Sequence, residues 1–145
     1  LHRNDVLFNR TNSWEHVGKA AIWQRDEPGP AFASYLVRLH CGEALLPEFL
    51  HLWLNWAPVQ RAIRQFATPG VQQVNINPTN LRRALIAVPD TLDEQRAIIE
   101  RVNGLAAAIE GHRRERAKLA SIREGLRDDL LTGRKSVVAF REAAE

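Results

Sequence analysis

The sequence predicts an α+β protein in which a small mixed α/β globule is followed by one long projecting helix of coiled-coil type. Punctuation is the first reason: all seven prolines lie at or before Pro89, and residues 91–131 contain none. Charge is the second, because 9 basic against 6 acidic residues precede Pro89 while 11 balance 11 after it, which makes the net charge of +3 entirely N-terminal. Periodicity is the third, since apolar residues come in short runs before Pro89 and at helical intervals after it. Residues 1–90 are therefore expected to form the globule, 91–133 the helix and 134–145 a C-terminal tail.

Three short strands are expected first, in Asp5 to Arg10, Val17 to Trp23 and Ala33 to Leu39. Each holds Val, Ile, Phe, Trp or Tyr and is bounded by Thr11-Asn12-Ser13 or Pro28-Gly29-Pro30. Pro47 suits the first turn of a helix, and Leu46, Phe49, Leu50, Trp53 and Leu54 recur at helical spacing until Pro58 forces a break. Val59, Ile63 and Phe66 continue as a second helix that Thr68-Pro69-Gly70 ends. Val71 to Ile76 is expected to be extended or loop, Asn77-Pro78 to cap a short turn through Arg83, and Leu85 to Val88 to be a strand.

Thr91-Leu92-Asp93-Glu94 has the form of a capping box, so a long helix should begin there. Ile98, Val102, Leu105 and Ile109 are spaced four, three and four residues apart, the spacing of a helix-pairing seam, and Leu119, Leu126 and Leu130 resume it. His112 and Arg116 interrupt that stripe, and Ile122 lies off its strict register, so the packing face drifts. Residues 92–131 would span about 60 Å. Thr132-Gly133 supplies the stop, with Arg134 and Lys135 beside the negative end of the dipole. Such a stripe calls for another helix, on a second chain or on a further part of this one.

Composition narrows the function classes. At 145 residues the chain can form one ordinary core, burying roughly 68% of its unfolded surface. Cys41 is the single cysteine, so neither a disulfide framework nor a four-cysteine zinc site can be built, and a reducing, cytoplasmic setting is expected. No apolar run is long enough to cross a bilayer, and no basic segment leads into an apolar stretch at the N-terminus. With no methionine in the chain, residue 1 is expected to follow a portion that is missing. The charge permits an anionic partner without demanding one.

Asn9-Arg10-Thr11-Asn12-Ser13 gathers a guanidinium, two amides and two hydroxyls, and Lys19 follows nearby. Such groups can reach base edges and phosphates, and they equally make hydrogen-bonded turns. Gln72, Gln73 and Asn75, after Gly70, pose the same alternative between a nucleic-acid contact and a surface loop. Arg61, Arg64, Arg82 and Arg83 can serve as phosphate contacts or as solvated charge, Arg64 being preferred to Arg82 for its proximity to Gly70. Trp53 lies in an apolar helical run and is expected in the core rather than stacked on a base. Arg113, Arg114, Arg116 and Lys118, interleaved with Glu110 and Glu115, read as a solvated helix face, with a surface for a partner subunit as the alternative.

Signs of bond-making chemistry are weak. The five histidines are scattered, and His40, Cys41 and His51 have no metal-ligand spacing. Asn77-Pro78 shares two residues with the Asn-Pro-Pro-Tyr motif of adenine methyltransferases but lacks the second proline and the aromatic. With no glycine-rich cofactor loop or phosphate-binding Walker motif, no cofactor is expected.

Four segments in order carry a resemblance: Asp5-Val6-Leu7-Phe8-Asn9-Arg10-Thr11-Asn12-Ser13 with Val17-Gly18-Lys19, then Val74-Asn75-Ile76-Asn77 with Leu81, then Val88-Pro89 with Glu94-Gln95 and Ile98, then Leu130-Leu131-Thr132-Gly133-Arg134. Together they resemble the specificity subunits of type I restriction-modification systems. The resemblance implies a non-catalytic reader of double-stranded DNA, with 1–90 as a target-recognition domain that lacks its N-terminal start. On this basis Arg10, Thr11, Asn12, Ser13, Lys19, Arg64, Gln72, Gln73 and Asn75 would contact DNA. Ile98, Val102, Leu105, Ile109, Leu119, Ile122, Leu126 and Leu130 would pair with a second helix, from another specificity half or another copy. Methylation and restriction subunits would be the further partners. Members of that family typically carry two recognition domains and two helices; with one globule and one helix, this chain would be the C-terminal half of such a subunit or a single-domain subunit that dimerises.

Overall fold

The computed structural model describes residues 1–27, 31–70 and 73–137. Strand β1, Val6–Asn9, lies between β3, Ala20–Ile22, and β4, Leu36–Leu39, and is antiparallel to both. Alternation along β1 buries Val6 and Phe8 completely, and their neighbours Ile22, Ala20, Leu39 and Val37 pack on the same core. A second antiparallel sheet has the order β2-β6-β5, from Thr11–Asn12, Val74–Ile76 and Ala67–Pro69. Arg10 is the single residue between β1 and β2. Its amide donates to the Tyr35 carbonyl at 3.0 Å and its carbonyl accepts from the Ile76 amide at 2.8 Å, so the chain changes sheets without orphaning a backbone group.

Helix α1, Pro47–Asn55, starts with proline where no amide is needed, and Leu50 and Leu54 enter the core. Extended Trp56 separates it from α2, Ala57–Arg64, with Pro58 in the first turn of α2, so the expected break falls two residues before the proline. Val59 and Ile63 of α2 join Val6, Phe8, Val17 and Ile76 to complete the core. Burying a side chain the size of Phe8 contributes about 1.5–3 kcal/mol. Asn77 Oδ1 accepts from the Thr79 amide at 2.9 Å and caps α3, Pro78–Leu81, as its sequence position predicts.

Three expectations need correction. The strand placed in Val17 to Trp23 is confined to Ala20–Ile22, because residues 14–18 form a turn that buries Val17 and runs through Gly18 at φ +87°. Ala67–Pro69, expected only to end a helix, is edge strand β5, where a proline costs no ladder bond. Residues 85–88 form no strand: burial alternates along them, with Ile86 against the core and Leu85 93% exposed, but no neighbouring strand pairs with them.

Helix α4 runs unbroken from Leu92 to Leu131. Thr91 Oγ1 accepts from the Glu94 amide at 3.2 Å, the hydroxyl half of the predicted capping box. At the other end Gly133 adopts φ +72°, and Arg134 and Lys135 reach the Asp129 carboxylate at 3.6 and 3.4 Å. Two compact units divide the chain between Arg101 and Val102, inside this helix. No helix among the described residues is long and apolar enough to cross a membrane.

Candidate functional site

The two polar segments singled out in the sequence meet in the second sheet. Thr11 pairs with Asn75, and Asn75 with Thr68, so the three form one row across β2, β6 and β5. Ile76, one residue on from Asn75, is fully buried, which turns Asn75 and its row to solvent. Asn75 therefore belongs to a strand rather than to a loop. Gln73 is exposed, and its carbonyl accepts from the Gly70 amide at 2.7 Å. A Cβ on Gly70 would stand 2.8 Å from that carbonyl oxygen, so the close approach requires glycine. Gln72 lies outside the described residues.

Local turn chemistry engages part of the Asn9 to Ser13 segment. Asn12 Oδ1 accepts from the Ser13 amide at 2.8 Å, and the Ser13 carbonyl accepts from the His16 and Val17 amides at 3.1 and 2.9 Å. Arg10 is half-buried and its Nε donates to the Ser34 carbonyl at 3.1 Å. Thr11 is left with its side chain on the sheet face and Ser13 with an exposed one. The turn reading thus describes Asn12 and Ser13.

Lys19 and Arg64 line a groove of about 300 Å³ with Asn55, Ala57, Gln60 and Arg61. The α2 residues 57, 60, 61 and 64 share one helical face. Gln60, buried, donates through Nε2 to the Gly18 carbonyl at 2.7 Å and the Leu54 carbonyl at 2.5 Å. Asn55 gives its whole amide to structure: Oδ1 accepts from the Ala20 amide at 3.1 Å, and Nδ2 donates to the carbonyls of Ala20 and His51 at 2.9 and 3.0 Å. Arg64 Nη2 donates to the Glu15 carbonyl at 3.3 Å, and Lys19 Nζ lies 3.4 Å from His16 Nδ1. The Ser13 to Gly18 turn is thereby fastened to α2. Gln60 and Asn55 escaped sequence reasoning because nothing in their neighbours marks an amide that will bond a distant strand or turn.

Trp53 packs partly buried against the core, as its apolar run predicts, whereas Trp14 and Trp56 are exposed. Burial, and then Glu48, push the Cys41 thiol above its ordinary range, so it stays protonated at neutral pH. Among the described residues no three His, Cys, Asp or Glu side chains are placed to hold a metal. On α4, Ile98, Val102, Leu105, Ile109, Leu119, Ile122 and Leu126 are between 37% and 60% exposed, and Leu130 is half-buried. Arg113 pairs with Glu110, and Arg123 and Arg127 with Glu124, the pattern of a solvated helix surface.

No family model matches the chain. Over 95 residues, 65% of its length, the chain is 30% identical to a Methanocaldococcus jannaschii protein described as "Putative type I restriction enzyme MjaX specificity subunit". The match spans 22% of that relative, so this chain corresponds to about a fifth of it.

Proposed function

We propose that the chain is a sequence-specific DNA-binding part of a type I restriction-modification specificity subunit, reading one half of a bipartite site. The observation that carries this is the 95-residue similarity to the MjaX protein. The meeting of Thr11, Thr68 and Asn75 on one solvent-facing row supports it, because base readout needs several donors and acceptors on one surface. In this reading the protein makes and breaks no bond. Thr11, Asn75, Gln73 and the Arg10 to Ser13 segment supply contacts to bases and phosphates, and α4 pairs with a second helix and positions methylation and restriction subunits. Selection from a random duplex library by the chain assembled with a methylation subunit tests it. Enrichment of one half-site is expected; an assembled complex that enriches nothing refutes the reading.

A second reading, a helix-pairing interaction module that binds no nucleic acid, is favoured by one observation, the exposed apolar residues that recur along the neutral α4. The same library experiment separates the two.

A further inference from the structure

We infer that the groove between Lys19 and the Gln60 to Arg64 face of α2 seats one backbone phosphate of duplex DNA; this rests on the DNA-reading proposal and adds a fixed point of contact to it. Three cations, Lys19, Arg61 and Arg64, line the groove, and among the described residues none of them has a carboxylate within ion-pairing distance. Arg113 and Arg127 on α4, by contrast, are paired with Glu110 and Glu124. Arg64 Nε is moreover a buried donor with no acceptor, so the protein leaves part of the guanidinium's bonding capacity unused.

The walls are built to stay open. Gln60 and Asn55 are held by bonds to Gly18, Leu54, Ala20 and His51, so neither amide can swing in to close the groove. The two carbonyls facing Gln60 Nε2 also set the orientation of that amide, leaving Oε1 as a buried acceptor without a partner. Because Oε1 is buried, a phosphate oxygen in the open groove does not meet it. The groove is open rather than enclosed, and Lys19 and Arg61 are exposed, which suits a phosphate carried on a polymer. Its rim is tied through Glu15 and His16 to the turn that begins at Ser13. A phosphate seated here fixes the Ser13 to Gly18 turn, and through Asn12 the start of the Thr11 row, relative to the duplex.

The test is a salt titration of duplex oligonucleotide binding by the full chain assembled with a methylation subunit, wild type against Lys19→Gln, Arg61→Gln and Arg64→Gln, with melting curves to show that each variant folds. Lys19 and Arg61 are exposed, which keeps two of the three variants clear of the core. Loss of the seat makes the slope of log affinity against log salt shallower by about 0.9 and weakens every sequence alike. A duplex with one neutral methylphosphonate linkage locates the contact: one position weakens wild type and leaves the Arg61→Gln, Arg64→Gln double variant unaffected. Folded variants that keep the wild-type slope overturn the inference. So does inorganic phosphate that shifts the Arg64 Nε resonance and is not displaced by duplex, the mark of a free-anion site. Sequence preference with unchanged slopes removes the seat alone, changed slopes without sequence preference remove the reading of bases alone, and absence of duplex binding removes both.

Discussion

Gln95 is the side chain whose loss should be felt furthest from its own position. It has no exposed surface, its Oε1 accepts from the Leu46 amide at 2.9 Å, and its Nε2 donates to the Ala44 carbonyl at 2.9 Å and the Pro89 carbonyl at 3.4 Å. One amide thus fastens the first turn of α4 to the residues that start α1. Gln95→Ala should lower stability by about 1–3 kcal/mol, read from the urea midpoint, because it strands buried polar groups. Gln95→Glu should cost more, since a carboxylate cannot donate to the two carbonyls and places an unpaired charge in the interior. Gln73 offers the opposite case. Its side chain is exposed and only its carbonyl is bonded, so Gln73→Ala should preserve the melting temperature and, if the side chain reads a base, weaken specific binding by about 1–3 kcal/mol. Arg10→Ala is a less clean probe, because Arg10 Nε also holds the Ser34 carbonyl.

The elements differ in how far their neighbours in sequence define them. α1, α3 and α4 were legible because their ends are local: a proline at the first position, an Asn77 cap, a Thr91 hydroxyl and a Gly133 stop each act within a few residues. β2 and β5 were not, because two or three residues such as Thr11-Asn12 and Ala67-Thr68-Pro69 become strands through pairing with β6, which in the case of β2 lies more than sixty residues away. The seam on α4 gives the test that belongs to this scale. Leu119→Asp and Leu126→Asp should abolish self-association, measured by sedimentation, with little change in the melting of the core, since both side chains are exposed and make no part of it. Persistence of the oligomer would move the interface off this helix.

Acid should destabilise the whole molecule in two stages. Burial lowers the His51 imidazole below its ordinary value of 6.5, opposed by its bond with the Ala20 backbone. Folding therefore favours the neutral ring, and the stability it contributes is present above pH 6.5 and lost as pH falls below it. Desolvation works to raise the Asp5 carboxyl, but the His2 amide at 2.8 Å and the Arg38 guanidinium at 3.3 Å outweigh it and hold the group below its ordinary 3.8. That contribution is present above pH 3.8 and disappears as pH falls through the lower folded value. Urea midpoints measured against pH should fall first below 6.5 and again below 3.8, with Asp5→Asn removing the second step.

Sequence alone determined where this chain changes character at Pro89, how long α4 is, where it starts and stops, and which of its residues form an apolar stripe. Those properties depend on caps, prolines and periodicity, all of which operate within one or two helical turns. Tertiary structure decided which polar residues share a surface. It set Asn75 beside Thr11 and Thr68, and Lys19 across a groove from Arg61 and Arg64. No local pattern specifies those neighbours, because strand register and the packing of α2 on the Ser13 to Gly18 turn are selected by burial of Val17, Ile63 and Ile76 in a common core.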